Sequence, residues 1–231
     1  MSDVWVVIPT YEEAANIERL VLGIRAVLPD CCIVIVDDGS ADGTGVLADR
    51  LAGELGGMEV IHRPGKQGLG SAYVAGFGRA LKRGAQKIVQ MDGDLSHDPE
   101  DLSRLVSVSA DLVLGSRYVQ GGGTRNWSVF RQALSRLGTR YASAWLGLTY
   151  TDLTGGFRCW SADLLRGVLA RPIRSEGYAF QVEMCARAHT QAAQIVEIPI
   201  VFTERAQGSS KMSPSIVLEA VWKVPSFRWK S

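Results

Sequence analysis

Val89-Gln90-Met91-Asp92-Gly93-Asp94-Leu95-Ser96-His97 is the stretch from which the rest of the chain can be read. An apolar run, Ile88 to Met91, stops abruptly at two carboxylates one residue apart. In an extended chain, residues i and i+2 point to the same side. Asp92 and Asp94 are therefore expected to face one target, with Ser96 joining them if the extension continues. Gly93 leaves room for a ligand to approach the backbone. Two hard oxygen donors at the end of a buried strand suit Mg²⁺ or Mn²⁺ carrying a substrate phosphate. An isolated Asp-x-Asp is more often a polar turn or a helix cap, so the surrounding chain has to decide.

Working outward, the same pattern recurs. Val4 to Ile8 and Ile33 to Val36 are short β-branched runs that read as buried strands, followed by Pro9-Thr10-Tyr11 and Asp37-Asp38-Gly39-Ser40. Met58 to His62 and Asp111 to Gly115 add two more strands. Helical spacing fills the gaps over Glu12 to Leu28, Gly45 to Leu55, Gly68 to Arg83 and from about Pro99. This alternation predicts an α/β, Rossmann-like, doubly wound and mostly parallel sheet flanked by helices. Ligands bind such sheets outside the carboxyl ends of the strands, where the polar residues collect here.

The second half reads differently. Gly121-Gly122-Gly123 looks like a flexible joint. Trp127 to Leu148 reads as a long amphipathic helix with Trp127, Phe130, Leu134, Leu137, Tyr141, Trp145 and Leu148 on one stripe, and Arg131 and Ser135 on another face. Phe157 to Trp160 is a possible strand, Tyr178 to His189 a helix and Ile195 to Phe202 a late strand. The tail, residues 212–231, holds a mildly amphipathic helix and mixes Trp222, Lys223, Phe227, Arg228, Trp229 and Lys230. Such a mixture suits a bilayer interface, although a core-docking helix fits as well. Without repeats or a clear linker, residues 1–231 read as one domain, with a first half (1–120), a second half (121–211) and the tail.

Composition narrows the classes. At 231 residues and 46% hydrophobic content, a sizeable core is expected. A net charge of +1 gives no global field for nucleic acid, and no nucleic-acid partner is expected. Cys31, Cys32, Cys159 and Cys185 lack metal-ligand spacing and read as reduced thiols. With no signal peptide and no apolar run of transmembrane length, a cytoplasmic chain is expected. Gly68-Leu69-Gly70 lacks the third glycine of a dinucleotide loop, and Gly65-Lys66 lacks Walker spacing. His97, next to the acidic motif, could orient a ligand, but reads rather as a helix-start or surface residue.

Taken in order, Pro9-Thr10-Tyr11-Glu12-Glu13, Asp37-Asp38-Gly39-Ser40 and Asp92-Gly93-Asp94 resemble the family 2 inverting glycosyltransferases of the GT-A fold. Gly65 to Tyr73, Gly115-Ser116-Arg117-Tyr118, Gly155-Gly156-Phe157-Arg158, Glu176 to Gln181 and Gly208 to Lys211 narrow the likeness to the dolichol-phosphate mannose synthases and their bacterial polyprenol counterparts. The resemblance runs from Pro9 to about Lys211. Two positions depart from the pattern: Gly93 stands where Ala is usual, and Gly155 where Ser is usual.

The resemblance implies a metal-dependent transfer of mannose from GDP-mannose to a polyprenyl phosphate, with inversion. It implies that Pro9, Tyr11, Glu13, Val36 and Asp38 hold the nucleoside, and that Asp92, Gly93 and Asp94 contact the diphosphate. Asp94 and Ser96 would be direct ligands of Mg²⁺ or Mn²⁺. Arg117, Arg205 and Lys211 would close on the diphosphate, and Arg117, Arg131 and Ser135 would grip the acceptor phosphate. Asp94 and Arg117 are the catalytic candidates. A lipid acceptor implies attachment to the cytoplasmic face of a membrane, or to a membrane-anchoring protein. Competing readings are a UDP-glucose-dependent polyprenyl-phosphate glucosyltransferase and a catalytically silent nucleotide-sugar-binding subunit.

Overall fold

The structure is a computed structural model that describes residues 3–204 and 222–227. In chain order its elements are β1 (Val4–Thr10), α1 (Ile17–Val27), β2 (Cys32–Asp37), α2 (Thr44–Leu55), β3 (Met58–His62), α3 (Leu69–Lys82), β4 (Lys87–Gln90) and α4 (Asp101–Ser107). Then follow β5 (Leu112–Ser116), β6 (Gly123–Arg125), α5 (Val129–Leu146), β7 (Arg158–Ser161), α6 (Ala162–Leu169), α7 (Gly177–Thr190), β8 (Ile195–Pro199) and β9 (Val201–Thr203). Residues 222–227 are helical. Arg205, Lys211 and the rest of residues 205–221, with residues 228–231 of the tail, lie outside the described residues.

Seven strands form one sheet in the order β3-β2-β1-β4-β7-β5-β8, and β6 pairs with β9 apart from it. The β1, β2, β3 and β4 pairings are parallel, while β7 runs antiparallel to both β4 and β5. Reversing direction twice leaves β5 pointing the same way as β4. The carboxyl ends of β1, β2, β4 and β5 therefore open on one edge, as the polar strand ends in the sequence require.

Strand alternation feeds two cores. Val7, Val34, Val36, Ile88 and Leu114 face one side and pack against Tyr73 and Phe77 of α3 and Phe180 of α7. Val6, Ile8, Ile33, Ile35 and Val89 face the other and pack against Ile17, Leu20 and Ile24 of α1. Both faces are covered, so the strands read as continuous apolar runs.

Four expectations change. The first helix begins at Ile17 rather than Glu12, because Glu12 takes a left-handed φ of 57°. The preceding turn is pinned across the chain: the N–H groups of Glu12, Glu13 and Ala14 donate to Ser40 Oγ, Thr44 Oγ1 and Asp42 Oδ2. The glycine run is built in rather than loose, since Gly123 starts β6 and a Cβ on Gly122 would lie 2.6 Å from Ser116 O. The late strand breaks into β8 and β9, which join different sheets. Only part of the apolar stripe of α5 joins the core, with Leu148 in it and Tyr141 against it, while Phe130, Leu137 and Trp145 are exposed.

Helix α3 lies tight on the sheet through Gly76, where a Cβ would meet Val7 Cγ1 at 2.3 Å and Val36 Cγ2 at 3.1 Å. Overpacking costs about 1–3 kcal/mol, against the roughly 1 kcal/mol that Ala gains over Gly inside a helix. Gly76→Ala is expected to lower the urea midpoint; an unchanged or higher midpoint would mean that α3 can lift from the sheet without loss.

Candidate active site

At the β1 and β2 ends, carboxylates organise loops. Asp37 accepts hydrogen bonds from Thr10 Oγ1 (3.3 Å), Ser40 Oγ (2.6 Å) and Ser40 N–H (3.1 Å). Asp38 Oδ1 pairs with Arg63 Nη1 at 2.7 Å, both side chains being buried, and Asp38 Oδ2 accepts from Gln67 N–H at 3.2 Å. Arg63 also donates to Gln67 Oε1 and Ser71 Oγ, fixing the loop before α3. Lys66, on that loop, sits 4.4 Å from the Tyr11 ring centroid. Tyr11, Asp38 and Lys66 thus frame one small region. Glu13 is engaged locally, accepting from Asn16 Nδ2 at 2.8 Å. The Val36 side chain is fully buried in the core, so only its main chain faces its neighbours Pro9 and Ile61 in the sheet. Gly93 brings the acidic motif against this region, since a Cβ there would lie 3.2 Å from Pro9 O.

In the acidic motif, Tyr73 Oη donates to Asp92 Oδ1 at 2.7 Å from a fully buried ring. Burial first, then the Asp92 charge, pushes the Tyr73 hydroxyl well above its ordinary pKa, which keeps it a donor. Gly156 leaves space on the other side of Asp92: a Cβ there would meet its carboxylate oxygens at 3.1 and 3.3 Å. The extended run expected to carry Asp92, Asp94 and Ser96 on one side does not continue. Leu95 takes a φ of 61°, and Ser96 N–H turns back to Asp94 Oδ1 at 3.1 Å. Ser96 is 2% exposed. His97 is a correction: it is buried rather than at the surface, stacked on Phe157 at 4.9 Å and edge-on to Phe202 at 5.3 Å. Its Nδ1 accepts the Asp92 N–H at 3.4 Å. Burial lowers its pKa, outweighing the upward pull of Asp92 and Asp94, and keeps the ring neutral.

Among the described residues, no three His, Cys, Asp or Glu side chains gather tightly enough to cage a metal. Asp92 and Asp94, two residues apart with Gly156 carrying no side chain beside the first, offer hard oxygen donors that suit a divalent cation taking its remaining ligands from water and a substrate's phosphates.

The β5 end carries a buried ion pair. Arg117 Nε and Nη2 each lie 2.7 Å from an oxygen of Asp152, and Arg117 N–H adds a third bond at 3.1 Å. Burial alone would raise the Asp152 carboxyl, but the Arg117 guanidinium holds it below the ordinary range; Asp152 in turn outweighs burial and raises Arg117. Arg117 Nη2 also reaches Thr154 Oγ1 (2.8 Å) and Ser135 Oγ (3.3 Å). Arg131 stands four residues before Ser135 on α5 and forms an ion pair with Glu204. The structure thus brings Arg117, Arg131 and Ser135 together, as the sequence reading expected.

The sequence reading missed Asp152, Thr154 and Tyr73 as site-building residues. Asp152 Oδ1 accepts from the N–H groups of Thr154 and Gly155, an Asx-type turn that the order Asp152-Leu153-Thr154-Gly155 could have signalled. Gly155 is tight, since a Cβ would lie 3.3 Å from Gly115 O. Arg158, fully buried, ties the same loop to α7 by donating to Gly155 O and Leu153 O of the loop and to Gln181 O of α7 at 2.9–3.0 Å. Tyr73 closes the Gly65 to Tyr73 stretch of the resemblance, but nothing in that stretch assigned it to Asp92, 19 residues further along the chain.

A carboxylate-bearing loop at a strand switch, beside a basic pocket, is the arrangement of a nucleotide-sugar transferase of GT-A fold, and the chain belongs to glycosyl transferase family 2, whose model matches residues 5–169. It is 45% identical over 223 residues to the polyprenol monophosphomannose synthase of Mycolicibacterium smegmatis, covering 95% of this chain and 84% of the relative. It is 46% identical over 225 residues to the undecaprenyl-phosphate mannosyltransferase of Micrococcus luteus, covering 96% and 92%. Its fold matches that of glucosyl-3-phosphoglycerate synthase from Mycobacterium tuberculosis, solved with Mn²⁺ and UDP-glucose, at a TM-score of 0.69 and 19% identity over 98% of this chain and 78% of that one.

Asp152→Ala would strand the Arg117 charge where the paired side chains are 0% and 3% exposed. The expected loss of stability is about 3–5 kcal/mol at neutral pH by urea denaturation. Because the Asp152 carboxyl is held below its ordinary value, its contribution is full above that value and is lost as pH falls through the folded one. The gap between wild type and variant should therefore narrow in acid; a gap independent of pH would contradict the ion-pair account.

Proposed function

We propose that this protein transfers a mannosyl group from GDP-mannose to a polyprenyl phosphate, releasing GDP and inverting the anomeric centre. The observation that carries the reading is the identity of 45–46% over 95–96% of the chain to two polyprenyl-phosphate mannosyltransferases. The geometry supports it: a carboxylate loop and a cationic pocket stand side by side at the strand ends. Residues 1–231 would act as one catalytic domain.

In this reading Tyr11 and Asp38 contact the nucleoside, and Asp92 and Asp94 face the diphosphate. A divalent cation held by Asp94, with Ser96 beside it, would stabilise the negative charge of the leaving diphosphate. Arg131, Ser135 and the free edge of Arg117 would orient the acceptor phosphate. A phosphate oxygen is already anionic near neutral pH, so it attacks without a base to deprotonate it. The protein's contribution is alignment and charge stabilisation. Arg205 and Lys211 would approach the diphosphate from the segment outside the described residues.

The lipid acceptor also accounts for α5. Phe130, Leu137 and Trp145 of the expected stripe are 75%, 61% and 43% exposed, and Val129 beside them 82%, while Trp127 and Leu148 at its ends are buried. The helix contains no acidic residue and carries Arg136 and Arg140. Apolar side chains flanked by cations suit an anionic bilayer surface, and Ser135 on the same helix lies at the acceptor site. No helix among the described residues is long and apolar enough to cross a membrane.

Two measurements test these assignments. Labelled mannose should pass from GDP-mannose into the organic phase with a short polyprenyl phosphate, and Asp94→Ala should reduce that transfer by at least about 100-fold, as losing a group that acts in the transition state does. Label moving only from UDP-glucose would replace the mannosyl reading. Separately, Phe130→Ser with Leu137→Ser should weaken sedimentation with anionic vesicles by at least about tenfold, with transfer to a detergent-dispersed acceptor retained. Unchanged sedimentation would remove α5 from the membrane surface.

A further inference from the structure

Trp127 lies against both arginines of the acceptor pocket. The Arg117 guanidinium carbon is 4.9 Å from a Trp127 ring centroid and that of Arg131 is 4.8 Å. Phe202 meets the indole edge-on at 5.1 Å and fixes its tilt. Two like charges on one ring are held there by separate counter-charges, Asp152 for Arg117 and Glu204 for Arg131. The negative face of the indole attracts each cation in addition.

One feature of this cluster is unexplained by packing. Trp127 is 9% exposed, yet its indole nitrogen has no hydrogen-bond partner among the described residues, and neither does Nε of Arg131. Buried donors are nearly always paired, and an indole N–H can only donate. Two orphan donors on side chains in contact call for the same kind of partner, an acceptor rich in lone pairs. An anion supplies it.

We propose that Trp127 is a binding residue for the acceptor phosphate: its ring gathers the Arg117 and Arg131 guanidiniums, and its N–H donates to one phosphate oxygen. The inference rests on the polyprenyl phosphate reading above and adds a donor that neither the motifs nor the family resemblance assigns. It also gives a basis for acceptor choice. A phosphomonoester presents three terminal oxygens to an N–H and two cations, whereas a sugar hydroxyl presents one oxygen and no charge.

The test uses the full chain with farnesyl phosphate as acceptor. Trp127→Phe keeps a ring and removes the N–H; Trp127→Leu removes both. Each is assayed for KM of farnesyl phosphate, KM of GDP-mannose and kcat, with direct calorimetric binding of farnesyl phosphate and a melting curve. Trp127→Phe is expected to raise acceptor KM and Kd by about tenfold, the size of one lost hydrogen bond to a charged group. Trp127→Leu should raise them further, and the KM for GDP-mannose should stay within about twofold in both. Unchanged acceptor binding in Trp127→Phe overturns the proposal, as does a parallel rise in both KM values with a lowered melting temperature, which marks a packing role. Wild-type protein that fails to bind farnesyl phosphate at all would overturn the acceptor reading, and this inference with it.

Discussion

The Arg117–Asp152 pair ties the end of a central strand to the loop that leads into the antiparallel strand beside it. The guanidinium reaches Ser135 on α5 and Thr154 on that same loop, so both are registered on one charge at the end of β5. Taking an arginine this far out of water is tolerable only with a carboxylate in bidentate contact, here on Nε and Nη2. Once that condition is met, the position of α5 relative to the sheet is fixed. Arg131 and Trp127, at the start of that helix and just before it, then fall beside Arg117.

The donor side is built on the same logic with smaller charges. Asp38 is oriented by Arg63, Asp37 by Thr10 and Ser40, and Asp92 by Tyr73. Each carboxylate at a strand end has a partner that aims it, which limits the reorganisation needed when a diphosphate arrives. Glycines keep the approach open: Gly93 against Pro9 and Gly156 against Asp92 are places where any side chain would intrude. Arg158 serves this side indirectly. Its three bonds to main-chain carbonyls hold the loop containing Gly156 in place.

The alternation of apolar runs and helices was enough to give the sheet class and the edge where polar residues meet, because a doubly wound sheet leaves its strands few other ways to bury both faces. Strand β7 was legible as a strand, but its antiparallel insertion between β4 and β5 was not. The pattern of four residues carries no direction; Arg158 and Trp160 enter the core only because of the neighbours they acquire. The glycine run 121–123 misled for a related reason. Composition made it a joint, whereas close approach to the Ser116 main chain makes it a structural contact.

For the site, the sequence by itself determined which residue types stand at the strand ends and, through ordered motifs, the family to which the chain belongs. It named Asp92 and Asp94 at one strand end and Arg117, Arg131 and Ser135 as a second group, and the structure brings the members of that second group together. Tertiary structure alone decided what aims them. Tyr73 reaches Asp92, and Asp152 reaches Arg117, across 19 and 35 residues of chain. It also decided that His97 is interior and that Phe130, Leu137 and Trp145 of the α5 stripe face outward. Periodicity reports that a helix has an apolar side, but not whether core, lipid or another surface receives it; that depends on which face the buried Arg117 draws toward the sheet.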